Sequence, residues 1–188
     1  MEHAERPADR PDGPNGPKIR LVDLSKRFGE NVVLDGLNLE IAEGESVVLI
    51  GPSGTGKSVL LKHIIGLLKP DSGQVLVDGT DLWSLSEHDL NVFRRRFGMS
   101  FQEGALFDSM TVFENIAFPL RRQTKKTAAE IRDRVAECLE LVHLEGIEAK
   151  KPAELSGGMR RRVGFARAIA LEPQILLFDE PTTGLDPI

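Results

Sequence analysis

Eight consecutive residues could hold a phosphate chain: Gly51-Pro52-Ser53-Gly54-Thr55-Gly56-Lys57-Ser58. The spacing fits Gly-x-x-x-x-Gly-Lys-[Ser/Thr], in which backbone N–H groups wrap phosphates, the lysine reaches the β/γ-phosphates and the hydroxyl binds Mg²⁺. Gly51, Gly54 and Gly56 permit dihedrals that other residues avoid and a close approach to an anion. The apolar run Val47-Val48-Leu49-Ile50 before the loop is expected to be a strand. The pattern Val59-Leu60-Leu61-Lys62-His63-Ile64-Ile65 after it is expected to be a helix whose N-terminus offers unpaired N–H donors to the anion. A glycine-rich strand-to-helix turn is the plain alternative, and the flanking elements in register argue against it.

A second group of chemical residues lies far along the chain. Ser156-Gly157-Gly158 reads as a serine cap and two glycines opening a helix, either a plain serine-capped helix, the preferred reading of these three residues by themselves, or one whose dipole is aimed at an anion. The apolar run Ile175-Leu176-Leu177-Phe178 ends on Asp179-Glu180, as a buried strand delivering two carboxylates would. Gln102 follows Phe97-Gly98-Met99-Ser100-Phe101, which reads as a strand running into a loop.

The elements that position these groups are legible in outline. Residues 1–17, with Pro7, Pro11, Pro14, Pro17, Gly13 and Gly16, have too few apolar side chains to offset ordering entropy and read as a disordered tail. Short β-like runs follow at Ile19–Val22, Val32–Leu34 and Leu37–Ile41, with a turn at Ala42-Glu43-Gly44-Glu45. Lys69 to Gly73 breaks the pattern, Gln74–Val77 is a further strand, and Asp78-Gly79 signals a turn. Ser86-Glu87-His88-Asp89 has the form of a helix start, leading to Leu90 through Arg96.

Residues 103–120 are apolar but irregular and either pack in a core or await a partner; Leu106, Phe107 and Met110 are the candidate anchors. Thr127-Ala128-Ala129-Glu130 is a capping box opening a helix with Ile131, Val135, Cys138, Leu139 and Val142 on one face. Cys138 and His143 read as packing residues, and Arg94-Arg95-Arg96 and Arg160-Arg161-Arg162 as solvated helix faces or partner contacts.

Composition bounds the reading. The 188 residues are 40% apolar and 28% charged, as in a soluble globular domain, with no apolar run near the roughly 20 residues that span a bilayer. A net charge of −5 gives no footprint for nucleic acid. The one cysteine cannot form an internal disulfide and no secretory signal opens the chain, which points to a reducing, cytoplasmic compartment.

The phosphate loop, then Gln102, then Leu155-Ser156-Gly157-Gly158-Met159 upstream of the strand ending on Asp179-Glu180, resemble in order and spacing the nucleotide-binding subunit of ATP-binding-cassette (ABC) transporters, over residues 18–188. Ser100-Phe101-Gln102-Glu103-Gly104-Ala105-Leu106-Phe107, the methionine at 159 and Asp186-Pro187-Ile188 look more closely like the Mla/Mkl branch, which serves lipid transport with MCE-domain proteins.

The resemblance implies an α/β fold: a P-loop NTPase (RecA-like) core with an antiparallel β subdomain and an inserted α-helical subdomain. On that plan residues 18–102 are ATP-binding core with the β subdomain, 103–160 the helical subdomain and 161–188 core continued. ATP and Mg²⁺ are the implied cofactors. Residues 51–58 and Val59 would bind nucleotide, Phe28 would stack on adenine, and Ser58, Gln102 and Asp179 would hold the metal. Lys57 would neutralise γ-phosphate charge, Glu180 would be the general base orienting water, and Gln102 would also sense the membrane subunit.

Ser156, Gly157 and Gly158 would meet the γ-phosphate held by a second copy, with Asp186 communicating across that homodimer. The implied partners are a membrane permease and an MCE-domain lipid-binding protein, at the inner face of the cell membrane, with no nucleic acid. A lipoprotein-release or amino-acid-import cassette, or a soluble cassette using ATP as a binding switch, are the alternatives. The family's switch histidine would lie roughly thirty residues beyond Asp186; His3, His63, His88 and His143 are elsewhere. The 188 residues are therefore expected to be C-terminally truncated, to bind ATP weakly and to hydrolyse it poorly.

Overall fold

Ile19 and Leu21 alternate with exposed Arg20, and the next buried residue is Leu24, so the alternation slips by one between them. The computed structural model, which describes residues 16–52, 54–100 and 104–179, gives the reason. Asp23 takes a positive φ of 46°, and the strand pairings shift register around it. Its freed N–H donates to Asn38 Oδ1 at 3.0 Å, and Asn38 Nδ2 returns a bond to Asp23 Oδ1 at 2.9 Å. A bulge of this kind adds one residue to a strand and moves the following side chains to the other face. The three short runs of the sequence are thus two long strands, β1 (Ile19–Phe28) and β2 (Asn31–Ile41).

The chain divides into two units, Met1–Arg94 and Arg95–Ile188. In the first, β1 and β2 join β3 (Ser72–Val77) and β4 (Thr80–Asp81) in an antiparallel sheet of order β2-β1-β3-β4. Asp78 and Gly79, both at positive φ (47° and 74°), form the turn between β3 and β4, as a type I′ hairpin requires. Helix α1 (Lys57–Ile64) buries Leu60, Leu61, His63 and Ile64. Helix α2 (Glu87–Phe93) starts as expected, Ser86 Oγ accepting from the Asp89 N–H at 3.1 Å, and ends three residues before Arg96 in a short 3₁₀ turn.

Val47–Ile50 is a correction: it pairs with no strand among the described residues, and Val48 and Ile50 are 80% and 92% exposed. Apolar character marks a segment fit for a sheet, but a strand exists only through hydrogen bonds to a neighbour.

His63 is fully buried, with Nδ1 2.7 Å from Val59 O. Burial pulls its pKa below the ordinary 6.5, so the folded state resists a proton that the unfolded chain accepts. Its contribution to stability is complete above about pH 6.5 and is lost as pH falls below that value. Urea midpoints of wild type should therefore drop from pH 7 to pH 5.5 by more than those of His63→Gln, an uncharged comparison.

In the second unit β5 (Phe97–Ser100) and β6 (Ile175–Phe178) pair in parallel from Phe97–Ile175 to Ser100–Phe178, and the Asp179 N–H extends the ladder to Ser100 O at 3.0 Å. Between them lie α3 (Val112–Gln123), α4 (Ala128–Leu141) and α5 (Gly157–Ile169). Val112, Ile116 and Leu120 of α3 pack in one core with Ile131, Val135, Cys138 and Leu139 of α4 and Val163 and Ala166 of α5.

The second half of the irregular stretch, from Val112, is therefore a helix that packs, whereas Ala105 and residues 107–109 before it are exposed. Thr111 and Glu114 form a full capping box at its start, with bonds of 3.1 and 2.8 Å, like Thr127 and Glu130 at α4. In both boxes the backbone N–H of the capping threonine holds the glutamate's pKa below its usual value.

Two further expectations change. Cys138 is buried, and desolvation raises its thiol pKa, but His143 is exposed at φ 53° just past α4, where a positive φ serves to end a helix. The arginine runs are not simply solvated. Arg94 reaches Gly66 O, Arg96 bonds Gln174 Oε1 at 2.6 and 2.9 Å, Arg160 bonds Leu155 O at 3.2 Å, and Arg162 bonds the carbonyls of Val142 and His143 at 3.1 and 3.2 Å. Among the described residues no helix is long and apolar enough to cross a membrane.

Candidate functional site

The phosphate loop turns on two of its three glycines. Gly54 and Gly56 take φ of 83° and 92°, and a Cβ on Gly56 would stand 2.7 Å from Val33 Cγ1, so no other residue fits there without movement. Gly51 has no positive φ; an added Cβ there would come within 3.1 Å of Thr55 Oγ1. Lys57 Nζ curls back over the loop and donates to Gly51 O at 2.7 Å and Pro52 O at 2.8 Å, while Thr55 Oγ1 donates to Pro52 O at 2.9 Å. The ammonium is thus held on the loop itself.

Helix starts distinguish this site from the rest of the chain. Helices α2, α3, α4 and α5 each begin on a serine or threonine whose side chain accepts a first-turn N–H. Helix α1 begins on Gly56 with no side-chain cap and no acidic residue in its first turn. Gly56 at the cap position thus supplies no side-chain oxygen to the positive end of the helix, and a cation stands on the loop beside it. That donor set fits an anionic phosphate chain, and Ser58, in the first helical turn, adds a hydroxyl suited to a hard divalent cation. Ser53 lies outside the described residues.

Phe28 ends β1 with 48% of its surface exposed and Lys26 Nζ 5.6 Å from its ring centroid. It is not a core residue, which leaves a face free to stack. Lys26 is in turn fixed to Asp71 Oδ1 at 2.8 Å and to Lys69 O at 3.0 Å.

In the second unit Ser156 caps α5 by accepting the Met159 N–H at 3.2 Å. A Cβ on Gly157 or Gly158 would meet nothing within 4 Å, so nothing inside the described structure requires glycine at either position. Their bareness leaves the helix start open to close approach from outside. Asp179 stands half-buried directly after β6. Gln102, Glu180 and Asp186 lie outside the described residues.

Sequence reasoning missed the residues that hold the segment after Gln102. Asn115 of α3 is fully buried; its Oδ1 accepts the Phe107 N–H at 2.8 Å and its Nδ2 donates to the carbonyls of Phe107, Met110 and Thr111 at 3.0–3.3 Å. Arg167 of α5 donates to Gly104 O at 2.9 Å and Ala105 O at 3.0 Å, with its guanidinium 5.7 Å from the Phe107 ring. Phe107 is itself 43% exposed and lies 5.1 Å from Phe118. A lone asparagine in an apolar run was the available signal, since a buried polar side chain must find partners.

The chain is 54% identical over 175 residues to "Probable ribonucleotide transport ATP-binding protein mkl" of Mycobacterium leprae, covering 93% of this chain and 50% of that protein. It is 48% identical over 170 residues to "Intermembrane phospholipid transport system ATP-binding protein MlaF" of Haemophilus influenzae, covering 90% of this chain and 64% of that one. It thus spans about half to two thirds of the length of these relatives, which match the closer resemblance to the Mla/Mkl branch.

Among solved structures, the ATP-binding cassette MJ0796, a dimer in a post-hydrolysis state bound to ADP and Pi, superposes with a TM-score of 0.82 at 39% identity, over 89% of this chain and 76% of that one. The profile described as ABC transporter matches residues 34–183, from β2 through the phosphate loop and the Ser156 helix to the strand carrying Asp179, and the chain belongs to that family.

Proposed function

We propose that this protein is the ATP-hydrolysing subunit of a membrane transporter that moves phospholipid or another lipid. The observation that carries the nucleotide part is the Lys57 ammonium held on the loop at the start of α1, where glycine and not a capping side chain opens the helix. In this reading residues 51–58 and Val59 hold the ATP phosphates and Lys57 exchanges its loop carbonyls for γ-phosphate oxygens. Ser58, Gln102 and Asp179 hold Mg²⁺, which when bound neutralises phosphate charge. Glu180 orients the attacking water and takes its proton, a role worth roughly 10²–10⁴-fold in rate.

Ser156, Gly157 and Gly158 face the γ-phosphate bound by a second copy, and Asp186 belongs to the same contact. ATP closes this homodimer because it touches both copies only in the closed state. Residues 18–102 and 161–188 serve as the core and 103–160 as the signature-bearing helical subdomain. The protein works at the inner face of the membrane against a permease, with an MCE-domain protein as a further partner. The Mkl and MlaF names differ on cargo, ribonucleotide against phospholipid, and the lipid reading follows MlaF.

Phe28→Ala should raise the Kd for ATP about tenfold, the loss of one base-stacking contact, with the bound-state hydrolysis rate nearly unchanged. Fluorescent-nucleotide titration reads the first and single-turnover hydrolysis the second.

The assembly is tested by tagging the native full-length protein, extracting membranes in mild detergent and identifying what co-purifies. A multi-pass permease, an MCE-domain protein and phospholipid are expected. A different permease would keep the ATPase and remove the lipid assignment, whereas recovery only in the soluble fraction would favour a non-transporting ATP switch.

A further inference from the structure

Gly164 sits in the middle of α5, where glycine is less favourable than alanine by about 1 kcal/mol, so a packing reason is expected. The reason is Gly104. A Cβ on Gly164 would come within 2.5 Å of Gly104 Cα and 2.9 Å of Gly104 O, and a Cβ on Gly104 would come within 2.5 Å of Arg160 O. The two backbones cross with no side chain between them, and Gly104 at φ 76° adopts a conformation that favours glycine. One turn further along α5, Arg167 donates both arms of its guanidinium to the same strip of chain, at Gly104 O and Ala105 O, and covers the Phe107 ring. A planar fork holding two successive carbonyls fixes orientation as well as distance.

We infer that the Gly104–Gly164 crossing and the Arg167 fork bind residues 104–107 rigidly to helix α5, so that this segment moves as one piece with the Ser156-Gly157-Gly158 helix start. The inference rests on the proposed nucleotide role of that helix start. Two backbones in direct contact transmit displacement because packed interiors do not absorb it. Gly164 and Arg167 are positioning residues: they touch neither nucleotide nor partner and act through the segment they hold.

Hydrogen exchange of the full-length protein with and without MgATP tests this. In wild type, ATP should slow exchange in 156–160 and in 104–110 together, about tenfold in each. Gly164→Ala, which favours helix but wedges the crossing open, should keep the slowing in 156–160 and remove most of it from 104–110. Arg167→Lys, which keeps the charge and loses the fork, should do the same to a smaller degree; thermal melts near wild type confirm that both variants fold. Coupled slowing that persists unchanged in both variants overturns the inference, as does a wild type in which 156–160 responds alone. A wild type in which neither segment responds removes this inference and the nucleotide role of Ser156 together.

Discussion

Lys57→Ala should lower ATP turnover of the full-length protein by at least about 10²–10³-fold, the usual cost of deleting a preorganised charge from a transferring phosphoryl group. The ammonium is already on the loop, held by Gly51 O and Pro52 O at 2.7 and 2.8 Å, so phosphate oxygens need only replace two carbonyls that point the same cation inward. Both bonds are on an exposed loop, so stability should change by no more than about 0.5 kcal/mol. Lys57→Arg should not restore turnover, because a wide planar fork is not a compact point charge. Phosphate release and a thermal melt on the same samples separate the two effects; turnover near wild type in Lys57→Ala would remove the loop from the mechanism.

Asn115→Ala should destabilise the full-length protein by about 2–3 kcal/mol, chiefly by removing the buried acceptor of the Phe107 N–H and the amide group shared among three carbonyls. Asn115→Asp should be at least as damaging despite its near-identical volume. It keeps the acceptor for Phe107 but turns a carboxylate oxygen toward the carbonyls of Phe107, Met110 and Thr111, to which the amide had donated. A shift of the urea midpoint with unchanged slope reads the cost. An aspartate variant as stable as wild type would mean that Asn115 fills space and does not organise the 107–111 turn.

What was legible in the sequence was local. The loop, the Ser86, Thr127 and Ser156 caps, the Asp78-Gly79 turn and the strand ending on Asp179 each depend on a few adjacent residues whose chemistry has one common use. Helix α3 carried the same signature, Thr111-x-x-Glu114 with Val112, Ile116 and Leu120 on one face, but Pro119 inside it and the off-face Phe113 and Phe118 blurred the period. Contacts between distant residues were not legible. Nothing at Gly104 announces Gly164 sixty residues on, and an arginine run does not say which carbonyls it will cap. The Asp23 bulge was hidden because Asn38, which satisfies it, belongs to the neighbouring strand. Val47–Ile50 went wrong for the complementary reason: its composition suits a strand but cannot supply a neighbour.

In the proposed function ATP joins two copies of this protein. Light scattering of full-length Glu180→Gln, which should bind ATP and not consume it, measures this directly in MgATP and in MgADP. A monomer in MgADP and a dimer in MgATP are expected, with the dimer lost when Lys57→Ala is added. A particle of the same mass under both nucleotides would contradict it.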